Sequence, residues 1–220
     1  MTSFKIRKYQ DEDYEMVKDI FTMGMSEHVP ASFVHMLKQP IPQMFIMCVF
    51  CALLASSKSV ILPVLAVTLL LAGTRQGLSY MFNSYIERSL KEDMGHIGET
   101  YVESKHCCFW VVESEGSVVA TVACVPSSES GSLQLKRLSV RRSHRGRGFA
   151  KALCRTVEEF AREKGYEAVI LFTSVVQYDA HKLYENLGYI EVRQMVAPTV
   201  IAKITNFTIR QYRYDLLKSN

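Results

Sequence analysis

Apolar and polar residues alternate along Phe4-Lys5-Ile6-Arg7-Lys8-Tyr9, the two-residue period of a strand with one buried face. Gln10-Asp11-Glu12-Asp13 then supplies acids suited to a helix start, and Tyr14, Val17, Ile20 and Phe21 follow at helical spacing. That helix is expected to continue, or to restart after Pro30, through Phe33, Met36 and Leu37. From residue 44 to 73 the period vanishes: the stretch is apolar apart from Lys58 and small hydroxyl residues, and divides into 44–56 and 60–73. A mixed helical pattern returns over 83–104, with Ile86, Leu90, Met94 and Ile97 as its apolar positions. Residues 107–112 predict a strand, Glu113-Ser114-Glu115-Gly116-Ser117 a hairpin turn, and 118–125 the antiparallel return. After a Ser-rich loop, 133–140 forms a third strand whose alternation slips at Lys136-Arg137, which predicts a bulge. Ala150, Leu153, Val157, Phe160 and Ala161 mark a helix stopped by Gly165; 168–172, apolar without alternation, reads as a central parallel strand. A short helix carrying Tyr184 ends at Gly188, a glycine cap, and strands over 189–196 and 207–214 close the chain. The expected class is α/β (α+β), a mixed central sheet with flanking helices.

The apolar stretch changes that picture. Each half is short of the roughly 20 residues that cross a bilayer core upright. One long span would put Lys58 near the bilayer centre, at a cost of about 3 kcal/mol, with Pro63 as a kink. If the first strand and helix share a domain with 107–220, both ends of the insert lie on one side of the membrane and the number of crossings is even. The expectation is a helical hairpin, re-entrant or thinly spanning, with Lys58 snorkelling near its tip. The alternative is a helical pair buried inside a soluble domain, against which stand thirty nearly uncharged residues without amphipathic alternation. The expected organisation is 1–40 as the start of the domain, 41–82 as the insert, and 83–220 as the remainder.

At 220 residues, with 48% apolar and 22% charged, the chain suits one globular domain plus an insertion. A net charge of +4 suits an anionic ligand or a membrane surface and does not by itself argue for nucleic acid. Six cysteines form no paired framework; Cys48-x-x-Cys51 lies in the apolar run without a second pair, and reads as packing rather than a metal or redox site. This is reduced-compartment usage, and the polar N-terminus predicts no cleavable signal. The densest basic run, Lys136, Arg137, Arg141, Arg142, Arg145 and Arg147, sits on and just before the turn that joins the third meander strand to its helix.

That turn, Arg145-Gly146-Arg147-Gly148-Phe149-Ala150, follows a strand and opens a helix, which is phosphate-binding geometry: free N–H groups and the helix dipole favour an anion. No Gly-Lys-Ser/Thr follows, and Gly-x-Gly is not followed by x-x-Gly, so it is neither a nucleoside-triphosphate loop nor a dinucleotide fingerprint. It resembles the acetyl-CoA loop of the GNAT acetyltransferases, Gln/Arg-x-x-Gly-x-Gly/Ala. Ala180-His181-Lys182-Leu183-Tyr184-Glu185-Asn186-Leu187-Gly188-Tyr189 resembles the superfamily's second signature. The element order is also that of a GNAT fold, with the apolar hairpin inserted between its first two helices. The resemblance implies that Arg145, Gly146, Arg147, Gly148 and Ala150 hold the pyrophosphate of acetyl-CoA. It implies that the strand through Leu138 and Val140 offers backbone groups to the pantetheine arm, that Gln177 stands where the family often has Asn, and that Tyr184 protonates the CoA sulfur. No metal is implied. The general base is not apparent: Gln134, Lys136 and Arg137 occupy positions where relatives often carry Glu, His or Tyr. Arg137 or Lys136 could bind an acidic acceptor or simply face CoA phosphates or solvent. His181 neighbours Tyr184 but could sit on the outer helix face; His106, Glu99 and Glu103 reach the site only if the second helix packs near it. A water relay needs no dedicated base.

Ile6-Arg7-Lys8-Tyr9-Gln10, Gly24-Met25-Ser26-Glu27-His28-Val29-Pro30-Ala31 and Phe109-Trp110-Val111-Val112-Glu113-Ser114-Glu115 resemble the camello-like group, N-acetyltransferase family 8. The resemblance implies a membrane-bound enzyme of the endoplasmic reticulum or contiguous perinuclear membrane, transferring acetyl to an amine. Acceptors in the group include cysteine S-conjugates, aspartate, and lysines of proteins including histones; the resemblance does not choose among them. The expected partners are acetyl-CoA, an amine acceptor and the lipid bilayer, with no direct nucleic acid. Basic residues on both flanks of the insert, among them Lys5, Lys18, Lys38, Arg75 and Lys91, agree with a cytosolic catalytic domain. A non-catalytic CoA-binding membrane protein is the competing class. Asn206-Phe207-Thr208 fits a glycosylation sequon, as a chance match or, if the domain faced a lumen, a used site.

Overall fold

The computed structural model describes residues 4–216. Its strands are β1 (Phe4–Lys8), β2 (Cys108–Ser114), β3 (Ser117–Pro126), β4 (Ser132–Val140), β5 (Ala168–Ser174), β6 (Ile190–Val196) and β7 (Thr208–Asp215). Its helices are α1 (Tyr14–Ser26), α2 (His28–Leu37), α3 (Pro40–Ser57), α4 (Ile61–Lys91), α5 (Phe149–Glu163), α6 (Tyr178–Leu187) and α7 (Val200–Ile204). The strands form one seven-stranded sheet in the order β1-β2-β3-β4-β5-β7-β6, antiparallel except for the β4–β5 pair. This is the mixed sheet with flanking helices that the element order implies.

Side chains alternate between two apolar layers. Trp110, Val112, Val122 and Leu133 join Leu153, Val157 and Leu187 of α5 and α6 on one face; Phe109, Val111 and Ala123 join Val17, Ile20 and Phe21 of α1 on the other. The expected acidic helix start is a working cap: Asp13 accepts the Gln10 N–H at 2.9 Å and a bidentate Arg7 at 2.7 and 2.8 Å.

Two features of β4 position the site. The expected bulge is present, where Arg137 and Leu138 together oppose Val122 between the pairs Thr121–Ser139 and Ala123–Lys136. β4 also pairs with β5 only from Ser132–Ala168 to Leu135–Leu171. Beyond Leu135, β4 stays with β3 as far as Ala120–Val140, while β5 stays with β7 as far as Ser174–Ile209. The sheet therefore parts into two halves with a wedge between them.

The apolar insert is a pair of helices, with Lys58 at the tip in a left-handed conformation (φ 50°) that terminates α3. No residue of α3 is buried, and Met44, Phe45, Met47 and Ile61 are each more than half exposed. Both helices are long and apolar enough to cross a membrane. The pair thus stands outside the core except at the C-terminal end of α4, where Ile86 and Leu90 join the α1 layer. One boundary differs from the sequence pattern: α4 runs unbroken through residues 73–83 to Lys91, a rod of 31 residues and about 46 Å. Met94 and Ile97 lie beyond its end, followed by a π-helical turn at Gly98–Val102.

Candidate active site

At the end of β4 the Arg141 N–H donates to Val119 O at 2.8 Å, so Val140, opposite Ala120, turns its own N–H and C=O away from β3 and into the wedge. The side chains of Leu138 and Val140 pack against the α5 layer. The chain then reverses through Gly146 (φ 76°) and Gly148 (φ 86°), left-handed conformations that cost an L-residue about 1–2 kcal/mol. A Cβ at either glycine would meet nothing within 4 Å. The buried Phe149 ring, 5.0 Å from that of Phe4, pins the helix start. Ala152, donating to Gly148 O at 3.0 Å, is the first amide of this turn to find a backbone acceptor along the helix. The amides before it, the positive end of α5, are open to an anion. An open glycine cradle with unpaired amides is suited to an anion.

The two arginines differ. Arg147 is exposed, its nearest carboxylate Glu115 at 3.8 Å. Arg145 is engaged: its Nε donates to Val140 O at 3.1 Å and its guanidinium pairs with Glu27 at 2.6 Å. Ala150 is half-buried in the first turn of α5.

Across the wedge, Gln177 precedes α6. Its Oε1 accepts Thr173 Oγ1–H at 2.7 Å and the Ser174 N–H at 2.9 Å. A backbone amide can only donate, which fixes Oε1 as the acceptor and Nε2 as a donor. Gln177 Nε2 lies 3.0 Å from His28 Nε2, so that nitrogen accepts and the imidazole is neutral, with its proton on Nδ1. Burial lowers the His28 pKa, with Arg145 acting the same way and Glu27 opposing it. The α1–α2 elbow thus bridges the wedge, Glu27 holding the glycine turn and His28 holding α6. Gly24 brings this elbow onto β4, where a Cβ would stand 2.6 Å from Ser139 Oγ. No periodicity marks Glu27 or His28; their partners lie more than a hundred residues away in sequence.

Tyr184 of α6 is buried, its ring 5.8 Å from those of Tyr189 and Tyr212. Burial, with Cys154 beside it, pushes its pKa far above the ordinary phenol value, so Oη keeps its proton at neutral pH. His181 does not sit on the outer helix face. It is buried, bonded to Ser174 O at 3.0 Å through Nε2 and stacked on Tyr212, and burial lowers its pKa. Because a carbonyl only accepts, Nε2 carries the proton.

Three other sequence candidates lie elsewhere. His106 packs edge-on against Tyr166, beyond the C-terminal end of α5 and opposite the glycine turn. Glu99 is exposed beside His96, and Glu103 lines a cavity with Lys8, Lys105 and Lys164. Arg137 is not free to bind an acidic acceptor. It holds Asp93 with two bonds, Nε–Oδ2 at 2.9 Å and a second nitrogen to Oδ1 at 2.5 Å, its NH1 donates to Tyr85 Oη at 3.3 Å, and its guanidinium lies 4.9 Å over the Phe21 ring. Tyr101 donates to the same Asp93 carboxylate. Among the described residues, no group of three His, Cys, Asp or Glu side chains could hold a metal ion.

The glycine turn, the wedge and the Tyr184 helix all fall within residues 77–189, the part of the chain matched by the model of the Acetyltransferase (GNAT) family. The chain belongs to the GNAT acetyltransferase family. Within it, the sequence is 36% identical over 217 residues to the probable N-acetyltransferase camello of Xenopus tropicalis, covering 98% of this chain and 99% of that protein. It is 40% identical over 193 residues to N-acetyltransferase 8 of Rattus norvegicus (86% and 87% covered) and 42% to N-acetyltransferase 8F1 of Mus musculus over the same length. Solved acetyltransferase structures share the fold at low identity. A GNAT acetyltransferase from Staphylococcus aureus Mu50 gives a TM-score of 0.57 at 16% identity over 97% of this chain and 99% of its own. A putative phosphinothricin N-acetyltransferase gives 0.59 at 13%, over 98% and 100%.

Proposed function

We propose that this GNAT enzyme is a membrane-inserted N-acetyltransferase that uses acetyl-CoA to acetylate an amine, either the α-amine of an amino acid or cysteine S-conjugate or the side-chain amine of a protein lysine. The observation that carries the reading is the open glycine cradle at the start of α5 beside the outward-turned backbone of Val140; Tyr184 on α6, buried and protonated, supports it. When bound, acetyl-CoA supplies an activated thioester. The amides from Gly146 to Ala150 bind its diphosphate, with Arg145 and Arg147 at the sides. The backbone of Leu138 and Val140 binds the pantetheine arm and polarises the acetyl carbonyl through an N–H. Gln177 fixes the far wall by holding His28 and the end of β5. The acceptor reacts as a free amine, and water carries its proton away, because His28 Nε2 is occupied by Gln177 and His181 Nε2 by Ser174. Tyr184 Oη holds the proton that the departing thiolate needs.

The α3–α4 pair, within an insert of residues 41–82 that interrupts the domain of 1–40 and 83–220, enters the membrane of the endoplasmic reticulum or the contiguous perinuclear membrane as a hairpin. Both of its ends remain with the catalytic domain on the cytosolic side, where basic residues flank it. The exposed apolar surface of α3 supports this, since water would solvate it at roughly 25 cal/mol per Å2 of cost.

The test is CoA-thiol release by detergent-purified protein given acetyl-CoA and, separately, S-substituted cysteines, acidic amino acids, or lysine peptides including histone tails. Release is expected with one pool and should vanish in Gly148→Glu, which sets a carboxylate and a strained φ where the diphosphate binds. CoA binding without release in any pool would replace this reading with a non-catalytic CoA-binding membrane protein.

A further inference from the structure

Arg137 is the residue of β4 whose conformation is least expected. Among the described residues, the non-glycine residues with positive φ are Lys58, Glu115, Arg137 and Asn206, and of these Arg137 alone lies inside a strand, at φ 56°. A glycine would adopt this conformation without strain; arginine does so at a cost. Its side chain is 9% exposed and reaches four other segments: Phe21 on α1, Tyr85 on α4, Asp93 just past the end of α4, and Tyr101 through the shared Asp93 carboxylate. Its own carbonyl accepts Thr121 Oγ1–H of β3 at 2.9 Å. The bulge is therefore gripped from the α1–α4 face of the sheet, while the side chains of Leu138 and Val140, after it, pack on the α5 face.

We propose that Arg137 is a positioning residue: its buried ion pair with Asp93 locks the β4 bulge, and so sets the register in which the backbone of Leu138 and Val140 meets the acetyl group. The inference rests on the acetyl-transfer reading and adds a source of its precision that is not part of the site itself. Burial alone would oppose a charged guanidinium and a charged carboxylate, and each keeps the other ionised: the Asp93 pKa is lowered by Arg137 and Tyr101, and the Arg137 pKa is raised by Asp93. The grip also joins the bulge to the last turns of α4, the same helix that forms the second half of the apolar hairpin.

Two variants of the full-length protein in detergent test it. Asp93→Asn keeps the shape and removes the charge; Arg137→Gly keeps the left-handed backbone and removes the guanidinium. Each is followed by kcat and KM for acetyl-CoA and by backbone hydrogen exchange over 136–141, with β2 as the internal reference. The expected result is a fall in kcat of about tenfold or more with KM for acetyl-CoA within about threefold, and exchange over 136–141 faster by about tenfold while β2 is unchanged. Unchanged local exchange in both variants, or loosened exchange with unchanged kcat, overturns the inference. So does exchange that rises equally in β2, which would mark a structural role only. A wild type that binds CoA and releases no thiol sinks the acetyl-transfer reading instead, and the exchange comparison then decides the grip on the bulge by itself.

Discussion

The Ser174 amide, by donating to Gln177 Oε1, selects the tautomer of a histidine on a different element. The consequence is a pH dependence with a defined sign. His28 has a folded pKa below its ordinary 6.5, so as pH falls the unfolded chain takes up the proton first. The stability tied to a neutral His28 is complete above about pH 6.5 and drains away as pH drops through the folded value. Protonation would also set an Nε2–H against the Gln177 amide and loosen the elbow. His181 shifts the same way for the same reason. Thermal melting should therefore drop between pH 7 and 5, and His28→Gln should flatten part of that drop; an identical pH profile in the variant would count against the neutral imidazole. Tyr184→Phe belongs to the same scale. Removing Oη should lower kcat by about 10²-fold while CoA binding, measured by calorimetry, stays within about threefold.

Among the elements, α5 carries the most and was the most legible. Its apolar spacing, the glycines before it and Gly165 after it are all local signals, and local signals survive folding because the amides and φ angles concerned belong to the same few residues. Phe149 is what keeps the glycine cradle at the end of β4, so Phe149→Ala should cost about 3–5 kcal/mol in denaturant unfolding and weaken CoA binding with it. Where the sequence pattern misled, the causes are specific. The sequence pattern assigns no element to residues 74–82, yet α4 continues through them, with the Thr74 and Ser79 hydroxyls bonded back to Leu70 O and Arg75 O on the same helix. Helix α7 has five residues, with Val200, Ile201 and Ile204 exposed, so it has no buried stripe to detect; it forms because Thr199 Oγ1 caps the Ala202 amide at 3.1 Å. The bulge at Arg137 was visible as a slip in alternation, but the role of its side chain was not. A basic residue beside a proposed anion site invites a ligand, and only the tertiary fold reveals that Asp93 already holds it.

For the whole molecule, the candidate site is assembled from parts far apart in the chain: an elbow near residue 27, a strand end near 140, and a helix near 180. The glycine turn and Tyr184 could be read in advance because each lies in a compact motif. Glu27 and His28 could not, because their partners are supplied by chain reversal. The unbroken α4 adds a constraint that holds across the full length of the protein. A rod without a joint carries angular phase as well as distance, so the hairpin's azimuth about the helix axis is locked to the catalytic sheet. Each residue added near position 78 should rotate the hairpin by about 100° against the sheet, and seven should return it to within about 20°. Activity in bilayers across an insertion series should thus oscillate with the helical repeat rather than decay with length, and activity in detergent should not. If the hairpin inserts in a membrane as proposed, the enzyme is oriented by it as a key is by its shaft, with one fixed side of the wedge held toward the lipid surface.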